Sequence, residues 1–165
     1  MDTPKFASLD NYEKGHVEII DDDPTHYAFS NIYEVASHSA PYEKVAVAVN
    51  RQYVLEAIRA EGTSEWRIGN HDESAIVMDG SVEIHLLDPE DSWIVSPEQG
   101  GSMAVRGEPK GKKMGVIRAR KGHMALLPAY TAYQFRADAP AVLLLQTIKG
   151  PDTVFKWQEI IQTQP

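Results

Sequence analysis

GHMALLPAYTAYQF, residues 122–135, sets Gly122 and Pro128 around one short run that reads as a strand, MALLP, and leads into a second, AYQF. Tyr133 and Phe135, two residues apart, share one face of that second strand. Working outward, HDESAIVMDGSVEI, residues 71–84, holds Glu73 and Gly80 with six residues between them. Asp79-Gly80 suits a tight turn with positive φ, so residues 75–87 read as a hairpin. Val82, Ile84 and Leu86 alternate with Glu83 and His85, which gives one buried and one wetter face. VAVAV (45–49), YVLEAI (53–58), MGVIRAR (114–120) and AVLLLQTI (141–148) add further strands at short intervals. Many short strands punctuated by Gly and Pro point to an all-β barrel or sandwich.

The flanks read differently. Residues 1–43 form an acidic N-terminal extension, and residues 44–165 the β-rich domain with a helical tail. In DDDPTHYAFSNIYEVASHS, Asp23 suits a helix cap and Pro24 the first turn. Phe29, Ile32, Tyr33 and Ala36 then follow at helical spacing. At the other end Val154, Trp157, Ile160 and Ile161 predict a short docked helix. Residues 88–112, rich in Gly and Pro, read as a long inter-strand loop, a place where binding residues concentrate.

The 165 residues suffice for one domain with a single core. No cysteine is present, which removes disulfides, thiolate metal sites and a thiol nucleophile. The start, MDTPKFASLDNYEKG, lacks a basic flank followed by an apolar stretch, and no run approaches the roughly 18 apolar residues of a membrane span. A soluble, cytoplasmic protein is the expectation. Of the net charge of −8, residues 1–40 carry −6, while residues 106–121 hold seven basic residues against Glu108. These two regions suit contact with each other or with a partner subunit, or plain solvation. An acidic chain without aromatics among its basic residues does not fit nucleic acid. No GxSxG elbow and no phosphate-binding glycine loop occurs.

The two glycine motifs resemble those of the cupin superfamily: Glu73 and Gly80 in the first, Gly122 and Pro128 in the second. The resemblance implies a single jelly-roll β-barrel. In that family two histidines before the glutamate, the glutamate itself and a histidine in the second motif hold a metal. Here Trp66, Arg67, Ile68 and Gly69 occupy the first places, Tyr130 stands where a glycine is expected, and Tyr133 replaces the last histidine. Only Glu73 of the four ligands remains, and one carboxylate does not hold a divalent ion. A substitute set of His71, Glu73, His85 and His123 lacks a reason to converge. Glu73 is then a remnant of a site or a hydrogen-bond partner for an arginine such as Arg67. Tyr133 and Phe135 fill the vacated interior, the Tyr133 hydroxyl needing a buried partner. Trp66, Tyr130 and Trp157 are candidate interface anchors, or else local packing.

Three stretches carry a narrower resemblance: YVLEAIRAEGTSEWR with HDESAIVMDGSVEIHL, KMGVIRARKGHMALLPAYTAYQF, and AVLLLQTIKGPDTVFKW. Over residues 41–161 they resemble the small subunit of two-subunit hydroquinone 1,2-dioxygenases. The resemblance implies ring opening of hydroquinone by O₂ to 4-hydroxymuconic semialdehyde, in bacterial degradation of para-nitrophenol. It implies Fe(II) in a larger cupin subunit and not here, and two copies of each subunit in an α2β2 assembly. No catalytic, cofactor-binding or metal residue is therefore expected in this chain. Two other readings stand beside it. A stand-alone metal-free cupin would bind or sense a small aromatic around Tyr133 and Phe135. A metal-independent isomerase would need a base in the barrel, and no histidine falls at a matching place.

Overall fold

The computed structural model describes residues 7–13, 31–90, 98 and 100–156. Their organisation is set by one strand, β9 (Ala132–Ile148), seventeen residues long and paired along both edges. On one edge run β2 (Tyr53–Thr63) and β3 (Trp66–Gly69), antiparallel to it from Tyr53↔Ile148 through to Ile68↔Ala132. On the other run β4 (Glu73–Asp79) and β5 (Ser81–Pro89), from Ser74↔Gln146 through to Leu87↔Ala132. Outside these, β7 (Gly111–Arg120) pairs with β5 and β8 (Met124–Leu127) with β4. β1 (Lys44–Asn50) pairs with β2, β10 (Thr153–Val154) lies parallel to β1, and β6 (Ser102–Val105) closes onto β3. The result is one sheet of ten strands that curls over itself, the jelly-roll expected of a cupin.

The curl has a visible cause. The ladders break along one line, at Ala60/Gly62 in β2, Val77/Asp79 in β4 and residues 138–140 of β9. Gly62, Gly80 and Gly122 sit on this line with φ of +74°, +74° and +89°, a conformation in which side chains are disfavoured. Pro140, which has no N–H to give a ladder, falls where β9 has no partner on either edge. Each long strand therefore bends from one layer into the other, and the inward residues meet. Ile58, Val77, Val82, Ile84, Leu127, Phe135, Leu143 and Leu145 form that inner core.

The short helix α1 (Ile32–Ser37) lies on the outer face. Val35 packs against Val45, Val47 and Ala57, and the Tyr33 hydroxyl donates to the Met78 carbonyl at 3.2 Å. Residues 7–13 continue this layer, with the Leu9 N–H donating to Asp79 Oδ2 at 2.7 Å. Among the described residues no helix is long and apolar enough to cross a membrane.

Several expectations change. The helix is capped by Asn31, whose Oδ1 accepts from the Tyr33 N–H, so Asp23 does not start it; Asp23, Pro24 and Phe29 lie outside the described residues. Residues 75–87 are not a hairpin. Gly80 bends one continuous run along β9, and β4 and β5 pair with that strand rather than with each other. AYQF and AVLLLQTI belong to a single strand, since Ala137–Ala141 carries a bulge and not a turn. Residues 88–112 contain β6. Val154 lies in β10 rather than in a helix, and residues 157–161 fall outside the described residues.

Candidate functional site

Glu73 opens β4 on the inner face and is 1% exposed. Its two oxygens are held from the two ends of β9. Tyr133 Oη donates to Oε2 and Thr147 Oγ1 to Oε1, both at 2.6 Å. These two residues are fourteen apart on one strand, and the bend of β9 brings them to the same carboxylate. Tyr133 gives its single proton to the charged acceptor, so the Ser102 hydroxyl, 3.0 Å away, donates to the phenol oxygen. Burial first, and then the neighbouring Glu73 charge, push the Tyr133 hydroxyl well above its ordinary pKa. It stays a phenol at any physiological pH.

The network continues on both sides. Ser102 Oγ accepts from Arg67 Nε at 2.7 Å, and Arg67 also pairs with Asp152. Lys44 Nζ lies 3.4 Å from Ser102 Oγ and 3.3 Å from Glu56 Oε2. Glu56 is fully buried; its Oε1 accepts from Thr153 Oγ1 at 2.8 Å, whereas Oε2 has no hydrogen bond. Burial raises the Glu56 pKa, with Lys44 acting against it. At the other end His71 Nε2 lies 2.9 Å from Thr147 Oγ1 and 3.2 Å from the Ile148 nitrogen, and Nδ1 lies 3.0 Å from Asn70 Oδ1.

This settles where the metal-type residues stand. Glu73 has Tyr133 and Thr147 as partners, and Arg67 reaches Ser102 and Asp152 instead of Glu73. His71 approaches Glu73 only to 3.9 Å. His85 points away from the inner face, against Glu83 Oε2 at 3.0 Å, and His123 is exposed at a turn, accepting from the Arg120 N–H. Among the described residues no three of His, Cys, Asp or Glu gather at one point. A divalent ion at Glu73 would have to displace both hydroxyl donors and would find no imidazole cluster behind them. The residues present do not fit a cupin metal.

The other named positions also have places. Trp66, 6% exposed, packs with Ile68, Leu87, Val105 and Ala132 on the outer face of β3, which is local packing rather than a free anchor. Tyr130 is 57% exposed and has φ of +60°, with its N–H donating to the Gly69 carbonyl at 2.7 Å. The turn thus keeps the left-handed backbone that a glycine would supply. Trp157 lies outside the described residues. Lys44, Glu56, Ser102 and Thr147 were not visible as site residues, because nothing in a single sequence tells an inward polar residue of a strand from an outward one.

Comparison with solved structures places this fold. The chain is 51% identical to a chain of hydroquinone 1,2-dioxygenase from Sphingomonas sp. TTNP3 with 4-hydroxybenzoate bound, covering 100% of both chains with a TM-score of 0.90. This chain belongs to the hydroquinone 1,2-dioxygenase family, within the cupin superfamily. A chain of the hydroquinone 1,2-dioxygenase PnpCD, in complex with Cd2+ and 4-hydroxybenzonitrile, is 50% identical over 99% of this chain and 98% of its own, TM-score 0.87. PnpCD in complex with Fe3+ also contains a longer chain, matched over 84% of this chain but 37% of its own at 12% identity, TM-score 0.59. That second likeness is one of fold alone. No family model and no curated protein matches the chain.

Proposed function

We propose that this chain is the smaller, non-catalytic subunit of an Fe(II)-dependent hydroquinone 1,2-dioxygenase, which opens hydroquinone with O₂ to 4-hydroxymuconic semialdehyde. The observation that carries this reading is the pair of hydroxyls on Glu73. Tyr133 and Thr147 occupy the coordination sphere that a cupin metal would need, within a chain half identical, end to end, to chains of hydroquinone 1,2-dioxygenases. The longer PnpCD chain with a related fold supports a division of labour, in which the iron belongs to a larger cupin partner. Two copies of each would form the cytoplasmic assembly. In it this chain would hold the partner's loops, keep water from the iron and shape the substrate space.

Co-expression with a larger cupin chain of the same family tests the reading. Hydroquinone consumption coupled to O₂ uptake is expected from the pair loaded with Fe(II), and none from this chain alone. Ring cleavage by the isolated, iron-loaded chain would overturn it. Full activity of the larger chain without this one would do the same.

A further inference from the structure

A cavity of about 330 Å³ opens beside the Glu73 network, at the end of the barrel closed by residues 41–42. Ile58, Leu145 and Phe135 form its apolar wall, and Lys44, Arg67 and Tyr133 its polar end. Tyr42 covers it. This residue holds φ of +60°, its hydroxyl donates to the Gly62 carbonyl at 2.6 Å, and its ring lies nearly parallel to that of Phe135, 6.4 Å between centroids. An apolar space of about 150 Å³ already accepts a benzene, so one aromatic ring fits here with room for a substituent.

The polar end says which substituent. Lys44 is 6% exposed, yet its ammonium, which carries three N–H donors, makes one hydrogen bond of 3.4 Å and one ion contact of 3.3 Å. Lys44 also lines the cavity, so an acceptor oxygen bound there would be a further partner for this loosely engaged donor. A further negative charge is not wanted. Glu56 already faces Lys44, Asp152 faces Arg67, and Glu61 and Glu65 stand at the rim. We infer that the barrel of this chain binds a neutral single-ring phenol, its ring against Phe135, Ile58 and Leu145 and its hydroxyl oxygen accepting from Lys44. The inference concerns this chain alone and goes beyond the subunit role, so either can fail without the other.

Calorimetric titration of the full chain with phenol, and with benzoate for comparison, tests it. One phenol per chain is expected, with benzoate at least tenfold weaker. Lys44→Met should weaken phenol tenfold or more, and Thr63→Trp, which fills the exposed rim while leaving the core intact, should abolish binding. If Lys44→Met does not fold, Thr63→Trp decides, with near-ultraviolet circular dichroism as the check on its fold. Absence of phenol binding, preference for benzoate, or phenol binding unchanged in Thr63→Trp would each overturn the inference.

Discussion

At the scale of single residues the Tyr133–Glu73 pair is the sharpest feature. Removing the phenol oxygen by Tyr133→Phe leaves a buried carboxylate oxygen without a donor, which costs about 1–3 kcal/mol. The same change at the exposed Tyr53 should cost close to nothing, and urea unfolding of both variants makes the comparison direct. Tyr133→His would not rebuild a centre, since it adds one imidazole to one carboxylate. Iron retained after desalting should stay far below one per chain. Alkali reads the same pair. An unfolded tyrosine ionises near pH 10, whereas Tyr133, held by burial and by Glu73, keeps its proton in the folded chain. The folded state then binds more protons than the unfolded one, so this stability is fully present below pH 10 and declines as pH rises beyond it. Tyr42, pushed up to about 12 by burial and by Glu61, adds in the same direction. Urea stability measured from pH 8 to 11 should be flat and then fall, with a shallower fall in Tyr133→Phe.

At the scale of elements the bend line governs. Gly80→Ala must accept a positive φ and also place its Cβ 2.8 Å from the Ala141 Cβ, whereas Gly122→Ala meets nothing within 4 Å. The second change carries only the backbone term of about 1–2 kcal/mol, and the first adds overpacking of about 1–3 kcal/mol. Equal destabilisation of the two variants would contradict this account of the corner. Tyr130→Gly removes the left-handed strain at the turn and should raise stability by up to about 1 kcal/mol, read as an upward shift in Tm. The same bend line explains how much of the fold was legible. Alternation in Val82–Leu86 and in Tyr133–Phe135 gave strands and faces correctly, because period two depends only on neighbours. The hairpin at Asp79-Gly80 was misread because a positive-φ glycine serves a two-residue turn and a corner equally well. Pairing with β9 rather than with the adjacent strand is decided some sixty residues away. Of the site, the need of Tyr133 for a buried partner was readable from the motifs. Lys44, Glu56 and Thr147 were not, since their inward orientation follows from register.

At the scale of the whole molecule the buried interior is occupied by hydrogen-bonded polar groups where a metal would otherwise bind. Incubation of the full chain with Fe(II) or Zn(II), followed by desalting and metal analysis, should return well under one ion per chain. One firmly bound ion would mean that Tyr133 and Thr147 yield Glu73 at little expense, contrary to the 2.6 Å contacts.

The two-edged β9 has one more consequence, for the order of events as the chain is made. Residues 53–89 leave the ribosome able to pair along one edge only, with β1, β6, β7 or β8, because the other edge of β2, β3, β4 and β5 waits for residues 132–148. Nascent chains halted before residue 132 should therefore hold separate strand pairs that nothing joins and stay open to protease, and protection should arrive as β9 emerges and joins them. Until then the apolar strands must be shielded by other means, so yield in the cell should depend on chaperone supply more steeply than the finished protein's stability suggests.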